Sequence, residues 1–283
     1  MRPGQLERQA GIARRIRAEP ASGSVCRRGP DAGRENELSK ASEAADLLVA
    51  ARNGGWLVSW RDVLPSDRAA AYAIQDATLA AIGPIGGWKV GAPNAEAEPN
   101  CAPLPASGLL ASGARLARGG LRGVEAEVAL RVARTLTADD IALPEAELAR
   151  AFDAAYPAIE VVETRLADWT SSDALAKLAD LQSHGALLLG PAAAVNIASI
   201  DLRRVEAHIS IGGDVGKQTT GGNPAGDIWR MLRWLIRHCT DRGVPLSRGQ
   251  IVTTGSCTGM MFAQEGDAVR VRLADFGEVA VDF

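Results

Sequence analysis

The stretch Arg122-Gly-Val-Glu-Ala-Glu-Val-Ala-Leu130, RGVEAEVAL, places two glutamates one residue apart in an otherwise small, apolar run. Read as a β-strand, it sends Val124, Ala126, Val128 and Leu130 to one face, and Glu125, Glu127 and Ala129 to the other. From the rise of a strand, the two carboxylates then stand roughly 7 Å apart on a shared face. The Ala, Glu and Leu content of the run also suits a helix. As a strand, it makes the chain a sheet protein, and its glutamate face either meets water or holds a cation.

A second run sharpens that choice. In PAIEVVETR (157–165), Glu160 interrupts Ile159, Val161 and Val162 as Glu125 and Glu127 interrupt their own strand. Ionised carboxylates are costly to bury unless they are paired or bound to metal. If the two strands are neighbours, Glu125, Glu127 and Glu160 converge on one divalent ion. Hard oxygen donors of that kind suit Mg²⁺, Mn²⁺ or Ca²⁺ rather than zinc. The three histidines (His184, His208, His238) form no HxxxH or HxH pair, which argues against a histidine-rich zinc site.

Lys89 is the next candidate. The chain has 27 arginines and four lysines, and this lysine lies between Trp88 and Val90 in the short apolar strand GGWKVG (86–91). A lysine differs from an arginine in that burial lowers its pKa readily, so it can exchange a proton near neutral pH. The bland alternative is a stem covering apolar surface. TTGS (253–256), at a strand end, offers Ser256 and backbone N–H groups to an anion, or is an ordinary glycine turn. The glycine clusters GGNPAGD and TTGSCTG carry neither a GK[ST] ending nor a GxGxxG after a strand, so a nucleotide fold is unsupported. Cys257 has no histidine near it in sequence and is a poor candidate for a thiol nucleophile.

Around these runs the pattern predicts helices from Ala41 behind Ser42, from Ser66 to before Gly83, over ADDIALPEAELARAFDAA (138–155), weakly over 171–181, and over 224–239. The helix over 224–239 is the clearest, with Ile228, Met231, Leu232, Leu235, Ile236 and Cys239 on one stripe. Strands are expected at 86–91, 124–134, 157–165, 185–190 and 205–213, and three more in the tail after Gly249, where EGD and DFGE make the turns. The Pro/Ala/Asn-rich stretch 92–106 reads as a long loop. The fold class is therefore α+β with a mainly β core and flanking helices, forming one domain over residues 41–283.

With 283 residues, 47% of them hydrophobic, the chain can bury a substantial core. Its net charge of −3 is uneven, because residues 1–40 carry nine Lys/Arg against five Asp/Glu. That basic head is rich in Gly, Pro, Ser and Arg and is expected to be a disordered extension. The acidic body argues against nucleic acid as a partner. No apolar run is long enough for a membrane span and no secretory pattern opens the chain, so a cytoplasmic protein is expected. Four cysteines (26, 101, 239, 257) without CxxC spacing read as reduced thiols.

Taken in order, AAYAIQDA, GWKVG, VEAEVAL, PAIEVVETR, ADLQSHGALLLG, GGNPAGDIWRMLRWL, GQIVTTGS and GDAVRVRLADFGEVAVDF resemble the hydratase/decarboxylase branch of the fumarylacetoacetate hydrolase superfamily. That branch includes 2-keto-4-pentenoate hydratases and 4-oxalocrotonate decarboxylases. The resemblance runs from about Ala41 to the C-terminus. It implies a mixed β-roll, Mg²⁺ or Mn²⁺ held by Glu125, Glu127 and Glu160, and Lys89 as the catalytic acid/base. It further implies Gln182, Ser183 and Ser256 as substrate-positioning residues, a homo-oligomer, and a complex with a related decarboxylase or hydratase.

Two departures stand out. An aspartate that relatives often carry in an Asp-[FY]-G turn is replaced by Ala106-Ser107-Gly108; and where relatives often have Asp-Ser-Arg after the metal glutamate this chain has Glu163-Thr164-Arg165, with His184 in a place often filled by Asn or Ser. The function expected is metal-dependent addition of water to a 2-hydroxy-2,4-dienoate or its 2-oxo-enoate tautomer, in aromatic-compound breakdown. Decarboxylation of a 2-oxo acid, or a non-catalytic binding or partner role, is the alternative. Hydrolysis of β-diketo acids is disfavoured because no His-Glu water-activating pair is evident.

Overall fold

The computed structural model describes residues 30–116 and 119–283. Residues 1–29 of the expected extension lie outside the described residues. Within the remainder, Glu37–Phe283 is one compact unit.

The first helix, α1 (Pro30–Gly54), begins ahead of the expected Ala41, so Pro30–Lys40, assigned to the extension on composition, are helical. The acidic, Ala- and Leu-bearing run that follows is a good helix former, and a helix once nucleated extends at little cost. The second helix, α2 (Arg68–Ile82), starts two residues after the expected Ser66, with Asp67 as its cap: the carboxylate accepts from Ala70 N at 2.8 Å. The helix stops at Gly83, whose φ of 116° only glycine adopts without strain.

The strands that follow are β1 (Ile85–Gly91), β2 (Asn100–Pro105), β3 (Gly123–Val132) and β4 (Phe152–Val162). After α3 (Ala174–Ala179) come β5 (His184–Leu189), β6 (Glu206–Ile211) and β7 (Asp214–Thr220). The amphipathic α4 (Ile228–Asp241) then leads to β8 (Ile251–Ser256), β9 (Ala268–Leu273) and β10 (Gly277–Asp282).

Two sheets result. The larger runs β2-β1-β8-β3-β4-β5 and ends in a short strand at Leu109–Ala111, with Met261–Phe262 also paired to β3. It is mixed, since β8 pairs β1 in parallel and β3 antiparallel. The smaller runs β7-β6-β9-β10, with Ala114–Arg115 beside β10. The architecture is α+β with a β-dominant core. No described helix is long and apolar enough to cross a membrane.

Two expectations are corrected. Residues 100–105 are strand, not loop. Pro103 and Pro105 cannot donate to a ladder, but β2 is the sheet's edge and needs donors on one side only. The helix expected over 138–155 is broken into 3₁₀ turns around the four-residue helix Glu145–Leu148, and Phe152–Ala155 belong to β4. There, pairing along the whole of β3 outweighs the local helix propensity of Ala, Glu and Leu. The expected stripe of α4 holds: Ile228, Met231, Leu232, Leu235, Ile236 and Cys239 are all buried. The helix itself starts at Ile228, where Asp227 caps Trp229 N at 2.8 Å.

Candidate active site

Strand register assembles the charged residues. β3 and β4 pair antiparallel with Glu125 directly opposite Glu160 and Glu127 opposite Ala158. On the other side of β3, Ser256 of β8 lies opposite Glu127, and β8 carries β1 alongside so that Thr253 pairs with Lys89. Three adjacent ladders therefore deliver three carboxylates and one ammonium to a single place. One oxygen from each of Glu125, Glu127 and Glu160 lies within 4.8 Å of the others.

The carboxylate face is not wet. Glu127 and Glu160 are buried, and the same face continues into an apolar layer of Leu104, Ala129, Ala158, Leu187 and Ile251. Each carboxylate is held from the protein side. Thr253 Oγ1 and Gly255 N donate to Glu127 Oε2, the amide at 2.9 Å. The Ser256 hydroxyl favours the ionised form of Glu125, against its burial. Lys89 Nζ donates to Glu160 Oε1 at 2.5 Å, and His184 Nδ1 stands 3.3 Å from the same oxygen. The second oxygen of Glu160, Oε2, is buried and has no protein partner among the described residues. A buried carboxylate oxygen without a donor costs on the order of 1–3 kcal/mol or more. Three hard oxygen donors converging beside it fit a divalent cation of the Mg²⁺, Mn²⁺ or Ca²⁺ type.

The electrostatics follow from burial and crowding. Burial, then Glu160 and Glu125, hold the Glu127 carboxyl well above the usual range, and burial with Glu160 raises Glu125. Burial opposes ionisation of Glu160 too, but Lys89 and His184 outweigh it and leave that carboxyl below its ordinary value. Burial by itself lowers Lys89, as the apolar strand suggested. Glu160, Glu125 and Glu127 more than offset it, and the ammonium is held above the ordinary lysine value. Burial pushes the His184 imidazole down despite Glu160.

Of the other sequence candidates, Gln182 reaches the site through its main-chain carbonyl, which accepts from Lys89 Nζ at 3.2 Å. Leu181, Gln182 and Ser183 all have left-handed backbone, with φ of 46°, 52° and 57°. Such a run of non-glycine residues is costly, and persists where the surroundings enforce it. Asp180, just before it, is clamped by the buried Arg165 guanidinium, and Arg165 Nη1 also donates to His184 O at 2.8 Å. Ser183 is turned away: its buried hydroxyl accepts from Trp169 Nε1 at 2.9 Å. Cys257 is buried, with its thiol pushed up to about 12 by burial and Glu127, which suits no nucleophile. Cys101 and Cys239 are likewise buried free thiols.

Sequence reasoning missed the Thr253 and Gly255 support of Glu127, and the pairing of His184 with Glu160. The first had a signal in the small polar TTG ahead of Ser256. The second had none, because only the β4–β5 ladder brings those residues together. A groove of about 380 Å³ lies elsewhere, on the outer face of the smaller sheet between His208, Arg270 and Arg272. It contains none of the residues grouped above.

Comparison with known proteins agrees with this picture. The family model for the fumarylacetoacetate (FAA) hydrolase C-terminal domain matches residues 72–283. Over 260 residues the chain is 30% identical to 2-keto-4-pentenoate hydratase 1 of Dechloromonas aromatica (strain RCB), covering 87% of this chain and 97% of that protein. It is 29% identical over 256 residues to the TodF product hydratase of Pseudomonas putida (strain F1), covering 85% and 94%. Among solved structures, 4-oxalocrotonate decarboxylase from Pseudomonas putida G7, complexed with magnesium and adipate, superposes with a TM-score of 0.73 at 21% identity, over 88% of this chain and 98% of that one. A 2-hydroxyhepta-2,4-diene-1,7-dioate isomerase from Mycobacterium marinum gives 0.54 at 18% identity, over 71% and 75%. The mixed β-roll expected from sequence is the fold found.

Proposed function

The chain belongs to the fumarylacetoacetate hydrolase family, and from that premise we propose that it is a divalent-metal-dependent hydratase of 2-hydroxy-2,4-dienoates or their 2-oxo-enoate tautomers. The observation that carries this reading is the Lys89–Glu160 contact inside a triad of carboxylates of which Glu127 and Glu160 are buried. Glu125, Glu127 and Glu160 would hold Mg²⁺ or Mn²⁺, which would supply Lewis-acid stabilisation of negative charge developing on the substrate. Lys89, carried on β1 and steadied by Glu160 and the Gln182 carbonyl, moves the proton at its Nζ. It takes the proton released as the enol ionises and returns it to carbon during ketonisation. Water then adds across the remaining double bond, its oxygen to C4 and its hydrogen to C3.

The protonation of Lys89 is tied to the carboxylates. Their combined charge is what holds the ammonium above its ordinary value, against a burial effect of opposite sign. A cation at the carboxylates would offset that charge and leave the burial effect, which acts to lower the lysine. Ser256 favours the ionised form of Glu125, and Gln182 acts through the left-handed turn that aims its carbonyl at Lys89.

The test is turnover of a panel of 2-hydroxydienoic and 2-oxo acids with Mg²⁺ or Mn²⁺, read for water addition, CO₂ release and C–C cleavage. Water addition that depends on metal is expected. Release of CO₂ in its place would make the chain a decarboxylase, and metal-dependent binding of every acid without turnover would make it a binding subunit.

A further inference from the structure

The glycine clusters at 221–223 and 253–257, which carry no nucleotide motif, close on each other. Asn223 is buried and spends both polar atoms of its side chain on main chain. Its Nδ2 donates to Thr254 O and to Gly255 O, each at 2.9 Å, and its Oδ1 accepts from Ala225 N at 3.0 Å. Gly222 beside it lies so near β8 that a Cβ there would stand 2.0 Å from Cys257 O, so only glycine permits the approach. What the loop grips is an irregularity in β8. The register against β3 shifts between Thr253 and Ser256, and Gly255 has a φ of 89°. Glycine at such an angle adopts other backbone conformations at little cost, so the peptide before it needs an external hold to keep one orientation.

The Thr254 carbonyl and the Gly255 N–H belong to that one peptide unit. No described peptide bond is cis, so the two groups point in opposite directions from a shared plane. Asn223 holds the carbonyl at one end, and at the other the amide donates to Glu127 Oε2 at 2.9 Å. We propose that Asn223 is a positioning residue for the metal site: by fixing the Thr254–Gly255 peptide it aims the Gly255 N–H at Glu127 and so sets that carboxylate for a divalent cation. The proposal rests on the metal reading above. Without the Asn223 amide the Thr254 carbonyl loses its donor, the peptide is free to turn at Gly255, and of the two donors Glu127 keeps only the Thr253 hydroxyl. A ligand held by one donor in place of two must be ordered by the ion itself, and partners of this outer kind typically contribute about 10–100-fold in metal affinity.

Calorimetric titration of Mg²⁺ into the metal-free full chain tests this, with melting temperature measured alongside. Asn223→Ala should bind Mg²⁺ at least about tenfold more weakly than the parent while remaining folded at the temperature of the titration. Asn223→Ser, which leaves a hydroxyl in the loop but cannot span both carbonyls, should show the same direction and serves if the alanine variant does not fold. The matched control is Thr219→Val. It removes the hydroxyl that donates to Cys257 O at 2.7 Å, a bond between the same two segments that does not touch the Thr254–Gly255 peptide. Its Mg²⁺ affinity should stay within about threefold of the parent even where its melting temperature falls. Parent-like affinity in a folded Asn223 variant, an equal loss in Thr219→Val, or failure of both Asn223 variants to fold would make Asn223 a prop of the loop only and overturn the proposal, with the metal reading left standing. If the parent itself takes up no Mg²⁺, the metal reading fails, and this inference fails with it.

Discussion

Two strands in this protein share one pattern and meet opposite fates. Glu125-Ala-Glu-Val-Ala-Leu130 in β3 and Val269-Arg-Val-Arg-Leu273 in β9 both alternate apolar residues with charges. In β9 the alternation is also one of wet and dry: Val269, Val271 and Leu273 are buried, and Arg270 and Arg272 are exposed. In β3 only Glu125 and Arg131 are partly exposed, and Glu127 is as enclosed as the apolar residues around it. Neither strand is an edge. The difference is that an apolar layer continues the glutamate face of β3, whereas a solvent-open groove lies along the arginines of β9. Period-2 alternation states which residues share a face, and only tertiary packing decides whether water reaches it.

That contrast can be broken most directly by removing charge from each strand. Glu160→Gln and Glu127→Gln should each weaken Mg²⁺ or Mn²⁺ binding by at least about a hundredfold, beyond the roughly 10–100-fold that outer partners of a metal site typically contribute. Calorimetric titration of the metal-free protein measures this, and parent-like affinity in both variants would remove the site. Arg272→Gln, the matched change on β9, should leave metal affinity unaltered.

The lysine gives the next effect. Lys89→Met removes both charge and proton, and Lys89→Arg keeps charge but holds its proton far above neutral pH. Both should lose at least about a hundredfold in kcat, the lower bound for a general acid or base, with metal affinity roughly intact. Full activity in Lys89→Arg would leave Lys89 an electrostatic role only. Arg270→Lys on the wet strand should leave kcat unchanged.

The same comparison explains what the sequence revealed and what it hid. The three glutamates and Lys89 could be grouped because each breaks an apolar strand, a local signal that survives without a fold. The surroundings of those charges could not be read. Ser183 looked well placed but spends its hydroxyl on Trp169, and Gln182 contributes its backbone carbonyl because three left-handed residues turn it that way. Lys89 was expected to be lowered by its apolar strand, and is raised because the partner carboxylates come from β3 and β4. β2 was hidden by its prolines, whose place at a sheet edge is a property of the whole sheet.

Acid–base linkage offers a subtler test. The folded state holds the Glu127 proton more tightly than the unfolded chain does, owing to burial first and its carboxylate neighbours next. Where the folded pKa is raised, the stability it contributes is complete below the ordinary glutamate range and is lost as pH rises through the folded value. The metal-free protein should therefore lose melting temperature from this residue as pH rises above the ordinary glutamate range. Glu127→Gln should flatten that part of the profile, and Mg²⁺ should stabilise the parent more at the higher pH. Scanning calorimetry of parent and variant across the range reads the difference. Identical profiles would mean that Glu127 does not carry the proton.

The smallest effect belongs to the wet strand and completes the contrast. Arg270 Nη1 lies 2.8 Å from Asp282 Oδ1 across β9 and β10, a closer contact than that between His184 and Glu160. Distance alone would rank it the stronger. Both partners are solvent-accessible, however, so water screens the attraction and ordering two long side chains costs entropy. A double-mutant cycle on Arg270→Ala and Asp282→Ala, read by denaturant unfolding, should give a coupling below about 1 kcal/mol that shrinks further in high salt. A coupling of several kcal/mol, insensitive to salt, would show that the outer face of β9 is as dry as the carboxylate face of β3 and would undo the distinction between them.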